Sequence, residues 1–290
     1  LYALFNQRLR ENKLYKLFRS VEMPLMYVLA YMEDTGVFID TLSLMDLTIT
    51  TTKYLKKLKG KIKDMITDRK RRRRFNPASN DDLSWLLYKY LSLPPSFLTD
   101  KGKPSTSREA IEDLSTQHPV AALLLEYKQK SKILSFLKKI PTFKNGETNR
   151  VHGNFNQTIT RTGRMTVSKP SLQNIPSVKR DENDRLIDCA ETNLRRAFKP
   201  QSAEWSILAL DYSQIELRLL AVLASETSML ETFKHPKGDI HTLTASKVHK
   251  KELSQVSKAE RKQAKGINFG ISYGMGAKTL AKRTDRKSVV

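Results

Sequence analysis

The feature that most limits what this chain can fold into is a change of periodicity near Pro141. Before it, apolar residues recur three and four apart, the rhythm of helices buried along one face. After it they alternate among Thr, Asn, Gly and Pro, the texture of strands and turns. Leu14, Leu17, Phe18, Val21, Leu25, Val28, Leu29 and Met32 predict helix over residues 1–34, with a start at Pro24 and an end at Gly36. A second, very basic helix is predicted over 43–74 and is closed by Phe75, Asn76 and Pro77. Trp85, Leu86, Tyr88 and Leu91 lie on a short helix, and further helices are expected around 107–116 and 119–138. Residues 151–176 read as strands and turns, and 177–194 as a polar surface loop. Ile207-Leu208-Ala209-Leu210 reads as a short buried strand, followed by an amphipathic helix to Ala224 and a last helix over 257–273. The expected fold class is therefore α+β, a helical subdomain followed by a mixed one.

Charge narrows the partners. The 290 residues carry 52 Lys and Arg against 30 Asp and Glu, a formal net charge of +22. Such an excess repels itself unless it meets a polyanion, nucleic acid first and an anionic membrane surface second. The membrane reading is weak, because the basic segment lacks a broad apolar face and no apolar run approaches ~18 residues. Cys189 is the single cysteine, so an internal disulfide is impossible and a cysteine zinc site is not expected. That usage suits a reducing, intracellular compartment, whether cytoplasm or nucleoid, nucleus or organelle.

Two stretches carry chemistry. In Leu210-Asp211-Tyr212-Ser213-Gln214-Ile215-Glu216-Leu217-Arg218 a carboxylate follows an apolar run and precedes a helix. Mg²⁺ is usually held by one or two carboxylates together with waters and substrate phosphates, which suits Asp211. A helix cap explains the same aspartate equally well. Arg261, Lys265, Phe269 and Tyr273 are spaced by four and so share one broad helical face. The cations could grip a triphosphate and the rings could stack on base and sugar. An ordinary amphipathic helix is the commoner origin of such a face, but Gly266, Gly270, Gly274 and Gly276 argue for close approach of something. The basic run 53–74 has three readings: a duplex-gripping surface, a solvated helix, or a nuclear localisation patch from Lys70 to Arg74. His152 reads as structural, and Trp85 and Trp205 as packing residues.

At these motifs the sequence resembles the family A DNA polymerases, the group of bacterial DNA polymerase I. The resemblance is carried by 211–218 and by Arg261-Lys262-Gln263-Ala264-Lys265-Gly266-Ile267-Asn268-Phe269-Gly270-Ile271-Ser272-Tyr273-Gly274. Thr162-Gly163-Arg164, Leu172-Gln173-Asn174-Ile175-Pro176 and Asp239-Ile240-His241-Thr242 add to it, in the family's order. Phe75-Asn76-Pro77, Ser105-Thr106-Ser107 and Tyr127-Lys128 extend it more weakly into the helical part.

The resemblance implies a right-hand polymerase fragment with a mainly helical thumb, a partial antiparallel palm sheet and the start of helical fingers. Residues 1–40 would be a helical linker from an upstream exonuclease-like domain, 41–150 the thumb, 151–235 the partial palm and 236–290 the fingers. The implied reaction is template-directed transfer of a nucleotide from a dNTP to a primer 3′-hydroxyl, in DNA replication or repair. Asp211, with Tyr212 beside it, would bind metal, two Mg²⁺ ions in all, and Lys265 would protonate the leaving group. Arg261, Lys265, Phe269, Tyr273, Glu216, His241 and Gln214 would face the nucleotide, Glu216 as the gate against a ribose 2′-hydroxyl. Arg164, Gln173 and Asn174 would reach the minor groove at the primer end, where pairing geometry rather than sequence is read. Lys128, Lys132 and Ser107 would touch the DNA backbone. The implied partners are primer–template DNA and dNTPs, with no membrane, and the protein would be a monomer.

The family's second metal carboxylate lies in a later His-Asp-Glu motif that these residues do not contain, and after Tyr273 the only carboxylate is Asp285. The loop 177–194 is longer than in the bacterial enzymes. The expectation is that this chain alone is inactive, that its helical thumb could fold alone and that its second half folds poorly in isolation. Two alternatives stand beside the polymerase: a non-catalytic DNA-binding fragment, and a single-subunit RNA polymerase relative, against which Glu216 and Phe269 argue.

Overall fold

The computed structural model describes residues 1–176, 192–235, 238–276 and 280. Among them, 1–176 with 192–207 form one compact unit and the residues from 208 onward form another. The loop expected over 177–194 lies outside the described residues except for its last three, and Cys189 and Asp285 lie outside them as well.

The first unit is organised by two long helices, Thr41–Asp64 and Pro119–Lys139, packed along each other. The first starts where the Asp40 carboxylate accepts from the Leu42 and Ser43 amides, an N-cap that satisfies donors the helix itself cannot. The second starts with Pro119 in its first turn, after His118 Nδ1 accepts from the Val120 amide at 3.1 Å. Leu44, Leu47, Leu55, Leu58 and Ile62 make the buried stripe of the first helix at spacings set by its turns. One apolar cluster gathers Ile62, Ile66, Phe75, Leu83, Leu86, Leu87, Ile111, Leu114 and Leu124. The other gathers Ile39, Leu44, Leu47, Ile133, Leu137, Ile140, Val151 and Leu194. Each fully buried Leu or Ile contributes about 1.5–3 kcal/mol by leaving water. Polar groups also enter this core. Lys130 is buried; its ammonium donates to Thr192 Oγ1 at 2.7 Å and lies 5.9 Å from the Tyr54 ring centre.

The helix expected over 43–74 is two helices, Thr41–Asp64 and Arg69–Arg74. Ile66 turns fully inward and the Thr67 amide donates to the Tyr90 hydroxyl at 2.9 Å instead of to a helical carbonyl. Asp68 then restarts the helix by accepting from the Lys70 and Arg71 amides. The helix expected over 1–34 is likewise interrupted, by a turn at Lys13 with φ of 58° and a wide π-turn at Phe18–Glu22 before Met23–Thr35. Of the Met23–Thr35 helix only Leu29 is buried.

Two short antiparallel ladders complete the unit. Val37–Phe38 pairs with Arg150–Val151, Val37 opposite Val151, and Asn154–Asn156 pairs with Thr166–Ser168, Phe155 opposite Val167. Gly36 feeds the first ladder at φ +61°, and a Cβ there would meet the His152 ring at 2.8 Å. His152 Nδ1 in turn bonds the Glu33 carbonyl at 2.8 Å, a structural role. Trp85 stacks on Tyr90 with ring centres 5.1 Å apart.

Two expectations fail here. Ile207-Leu208-Ala209-Leu210 is not a buried strand: Leu208 is 78% and Leu210 85% exposed, and no described strand lies alongside to give a ladder. A strand is held by its neighbour's hydrogen bonds, not by its own apolar content. Trp205, expected to pack, is 62% exposed in the adjoining turn for the same want of a covering layer.

The second unit has four α-helices among the described residues, Ile215–Leu223, Thr227–Lys234, Ile240–His249 and Lys258–Ser272. Its core is small: Leu217, Ala221, Ile240, Ala245, Ala264 and Ile267 are the buried apolar residues described. The last two helices pack face to face. No helix among the described residues is long and apolar enough to cross a membrane.

Candidate functional site

The Lys258–Ser272 helix begins in a capping box. Ser257 Oγ accepts from the Glu260 amide at 3.2 Å, and Glu260 Oε2 accepts from the Ser257 amide at 2.9 Å. Lys251 donates to the other Glu260 oxygen at 2.6 Å, and that bond, with those from Ser257, holds the Glu260 carboxyl down to about 2. This start fixes the helix's rotation. Ala264 and Ile267 turn inward, Arg261 and Lys265 are exposed, and Phe269 is half-buried. Tyr273 follows the last turn and is 66% exposed. Gly270 makes room for a neighbour within the chain, since a Cβ there would meet the Met275 side chain at 2.0 Å, and Gly274 follows the helix at φ +75°.

Facing this helix is the start of Ile240–His249. Asp239 caps it, accepting from the His241 amide at 3.4 Å, the Thr242 amide at 3.1 Å and Thr242 Oγ1 at 2.5 Å. The same carboxylate takes a forked bond from Arg261, Nε at 2.6 Å and Nη2 at 3.2 Å, and a longer one from Gln214 Nε2 at 3.4 Å. Burial pushes the Asp239 carboxyl up, but the bonds from Arg261 and Thr242 outweigh it and hold the group at about 2.

His241 is buried, its ring 5.7 Å from that of Phe269. Burial lowers its pKa, opposed by Asp239 and helped by Arg261 and Lys265, which favours the neutral ring. Asn268 sets its tautomer. The Ile240 carbonyl can only accept, so at 3.5 Å it faces Asn268 Nδ2, and the same Nδ2 is 3.1 Å from His241 Nδ1. Nδ1 therefore accepts, and the ring proton sits on Nε2. Thr244 donates to Asn268 Oδ1 at 3.0 Å and locks the amide.

Glu216 and Tyr273 close the site's other side, the tyrosine hydroxyl donating to Glu216 Oε2 at 2.5 Å. Gln214, just before the Ile215–Leu223 helix, sits in the left-handed region at φ 54°, and its Oε1 is buried without a partner among the described residues. Of the two readings of Asp211, the helix cap falls: Gln214 holds the cap position, and Asp211 lies three residues earlier, exposed beside an exposed Tyr212. Among the described residues no three His, Cys, Asp or Glu side chains are gathered to hold a metal. Asp211 fits as one ligand of an Mg²⁺ that would take the rest of its shell from water and phosphate, not as a site by itself.

Gln214, Glu216, His241, Arg261, Phe269 and Tyr273 are thus joined by contacts within the second unit, with Lys265 on the same helix face. Asp239 and Asn268 join them without having been singled out from sequence. Both stand inside the quoted motifs, and an Asp followed three residues later by Thr at a helix start was the available signal.

The residues expected on the DNA side all lie in the first unit. Gln173 clamps a turn, Oε1 accepting from the Val167 amide at 3.2 Å and Nε2 donating to the Met165 carbonyl at 3.1 Å. Asn174 donates to Ser171 Oγ at 2.6 Å, and Arg164 is exposed on the turn before Thr166–Ser168. Ser107 caps Arg108–Leu114 through the Ala110 amide at 3.3 Å. Lys128 donates to the Thr106 carbonyl at 2.7 Å, and burial lowers its pKa. Lys128, Lys132, Gln129 and Pro176, with Arg108 paired to Glu112 at 2.8 Å, line a cleft of about 440 Å³. Part of the run 53–74 is bound internally. Arg72 pairs with Asp64, Arg71 lies 4.8 Å from the Trp85 ring centre, and Lys63 donates to the Arg73 carbonyl at 2.9 Å.

The first unit thus carries a cleft lined by Arg108, Lys128 and Lys132, and the second a helix that presents Arg261 and Lys265 together with Phe269. The model of DNA polymerase family A matches residues 43–288, and the chain belongs to that family. It is 38% identical over 288 residues to the thermostable DNA polymerase I of Thermus filiformis, covering 96% of this chain and 33% of that protein. It is 35% identical to DNA polymerase I of Bacillus subtilis strain 168, covering 93% of this chain and 29% of that one. The chain thus spans about a third of the length of these curated relatives. Among solved structures it resembles the POL domain of Pol1 from M. smegmatis in complex with DNA primer-template and dNTP. The TM-score is 0.83 at 26% identity, over 98% of this chain and 47% of that one. The family that matches is one of DNA polymerases, as Glu216 and Phe269 led one to expect.

Proposed function

We propose that the chain carries the primer-gripping and nucleotide-holding parts of a DNA-directed DNA polymerase. The observation that carries the reading is the single contact network joining Arg261, Asp239, Gln214, His241 and Phe269, with Tyr273 just past the end of the same helix bonded to Glu216. In it Arg261 and Lys265 would meet the triphosphate, and Phe269 and Tyr273 the sugar, base and template position. Glu216 would crowd a ribose 2′-hydroxyl. Neutral His241 would offer its Nε2 proton to an anionic oxygen. Lys265, exposed, could hand a proton to the leaving pyrophosphate. In the first unit, which would be thumb and part of the palm, Lys128 and Lys132 with the Ser107 helix start would hold the duplex backbone. Arg164, Gln173 and Asn174 would lie toward the minor groove at the primer end. Family A polymerases are generally metal-dependent. Mg²⁺, when bound, would activate the 3′-hydroxyl and neutralise the departing phosphates, with Asp211 as one ligand and Tyr212 beside it.

The test is a binding experiment on this chain with a primer–template duplex and the next correct dNTP. Lys128→Glu with Lys132→Glu should weaken duplex binding about tenfold or more and flatten its salt dependence. Lys265→Gln should leave duplex binding intact but abolish the extra stability that the dNTP gives the complex. If neither effect is seen, the assignment fails. A second reading, DNA binding without chemistry, predicts the same binding with no Mg²⁺-dependent primer extension.

A further inference from the structure

Asp239 is bonded by three elements at once, and capping a helix needs only one of them. We infer that Asp239 is a positioning residue for Arg261: it grips one edge of the guanidinium and turns the other edge outward as the face that meets an anion. The inference rests on the reading that Arg261 binds a triphosphate.

A guanidinium carries five N–H groups in a rigid plane, shared between two usable edges. Asp239 takes the edge made by Nε, at 2.6 Å from Oδ2, and one hydrogen of Nη2, at 3.2 Å from Oδ1. Neither of these bonds uses the opposite edge, formed by Nη1 and the second Nη2 hydrogen, and the arginine side chain is 47% exposed. The carboxylate cannot swing with its partner. Its oxygens are pinned by the His241 and Thr242 amides, by Thr242 Oγ1, and by Gln214 Nε2 at 3.4 Å. The plane of the guanidinium is therefore set by the backbone at the start of Ile240–His249. An exposed ion pair of this kind contributes little to stability. What it changes is the freedom of a long side chain before a ligand arrives, so that less is lost on binding. The carboxyl remains ionised down to about 2, so the grip persists at any working pH.

Positioning and plain electrostatics predict opposite signs. Asp239→Asn keeps one cap acceptor, since its single oxygen can still take the Thr242 amide, but it puts an NH₂ group in place of the other oxygen and removes the charge that orders Arg261. A simple charge effect says that deleting a negative group beside an anion site tightens anion binding. Positioning says that it weakens it. The experiment is calorimetric titration of the full chain with inorganic tripolyphosphate at physiological ionic strength, with far-UV circular dichroism to confirm folding. Asp239→Asn should weaken binding roughly tenfold, the equivalent of one orienting charge-assisted bond. Arg261→Gln should weaken it at least as much, and Asp239→Asn added to Arg261→Gln should weaken it no further. Arg261→Lys keeps the cation and loses the fork, so it should fall close to Arg261→Gln; this variant decides the matter if Asp239→Asn does not fold. Unchanged or tighter binding in Asp239→Asn, or wild-type affinity in Arg261→Lys, overturns the inference while leaving the triphosphate face standing. Unchanged binding in Arg261→Gln overturns the triphosphate face itself, and the inference with it.

Discussion

The two units solve the same problem with different materials. The first closes two apolar clusters between helices, and its two long helices pack along each other. The second buries six apolar residues among those described, and leaves Leu219, Val222, Leu223 and Ile271 in water. What holds its site together is polar: a capping box, an Asp239 knot, an Asn268–His241 bond and a Tyr273–Glu216 bond. Apolar burial is non-directional and forgiving, whereas hydrogen bonds fix angles. The unit that would grip a uniform backbone is built on the first, and the unit that would hold one nucleotide in one pose is built on the second.

The largest effect that could break this contrast is in the first unit's core. Leu124→Ala should cost about 2–5 kcal/mol in urea unfolding, because it empties a fully enclosed site. Leu223→Ala, at a side chain 84% exposed, should stay within about 0.5 kcal/mol. Equal losses would mean that the second unit is as tightly packed as the first. A smaller effect is expected at the capping box. Ser257→Ala should lower the thermal midpoint of the second unit by the equivalent of about 0.5–2 kcal/mol, with that of the first unchanged. The smallest is a pH effect at Asp40. The bond from Lys199, then that from Ser43, holds its carboxyl at about 2 against an ordinary 3.8. A depressed carboxyl stabilises the folded state above its unfolded value and loses that contribution as pH falls toward the folded one. The difference in urea midpoint between the native chain and Asp40→Asn should therefore be full at pH values above about 4 and vanish toward 2. A difference that persists through this window would assign it to the cap alone.

What the sequence made legible follows the same division. The two long helices of the first unit were readable because their buried stripes are local, and Leu44 to Ile62 announce themselves by spacing; the apolar rhythm of residues 14–32 was just as regular, yet of Met23–Thr35 it buries only Leu29. The break after Asp64 was not, because Ile66 continues the apolar rhythm and only the distant Tyr90 hydroxyl reveals that the Thr67 amide has left the helix. The face of Arg261, Lys265, Phe269 and Tyr273 was readable for the same local reason. Its partners were not: Asp239 lies 22 residues from Arg261 and Glu216 lies 57 from Tyr273, and no periodicity reports a contact between separate elements. The run Ile207 to Leu210 misled because apolar content resembles a strand whether or not another strand is present to pair with it.

Lys130 and Lys132 stand two residues apart on one helix, one buried against Thr192 and the other lining the basic cleft. A charged side chain in water keeps its hydration shell. Lys130 gives that up once, when the helix packs, and trades it for Thr192. Lys132 keeps its shell in the folded chain; on a duplex it would neutralise a phosphate and free the cation condensed there, the release that makes such binding sensitive to salt. Two identical side chains would thus enter different equilibria, one counted in folding and the other in association.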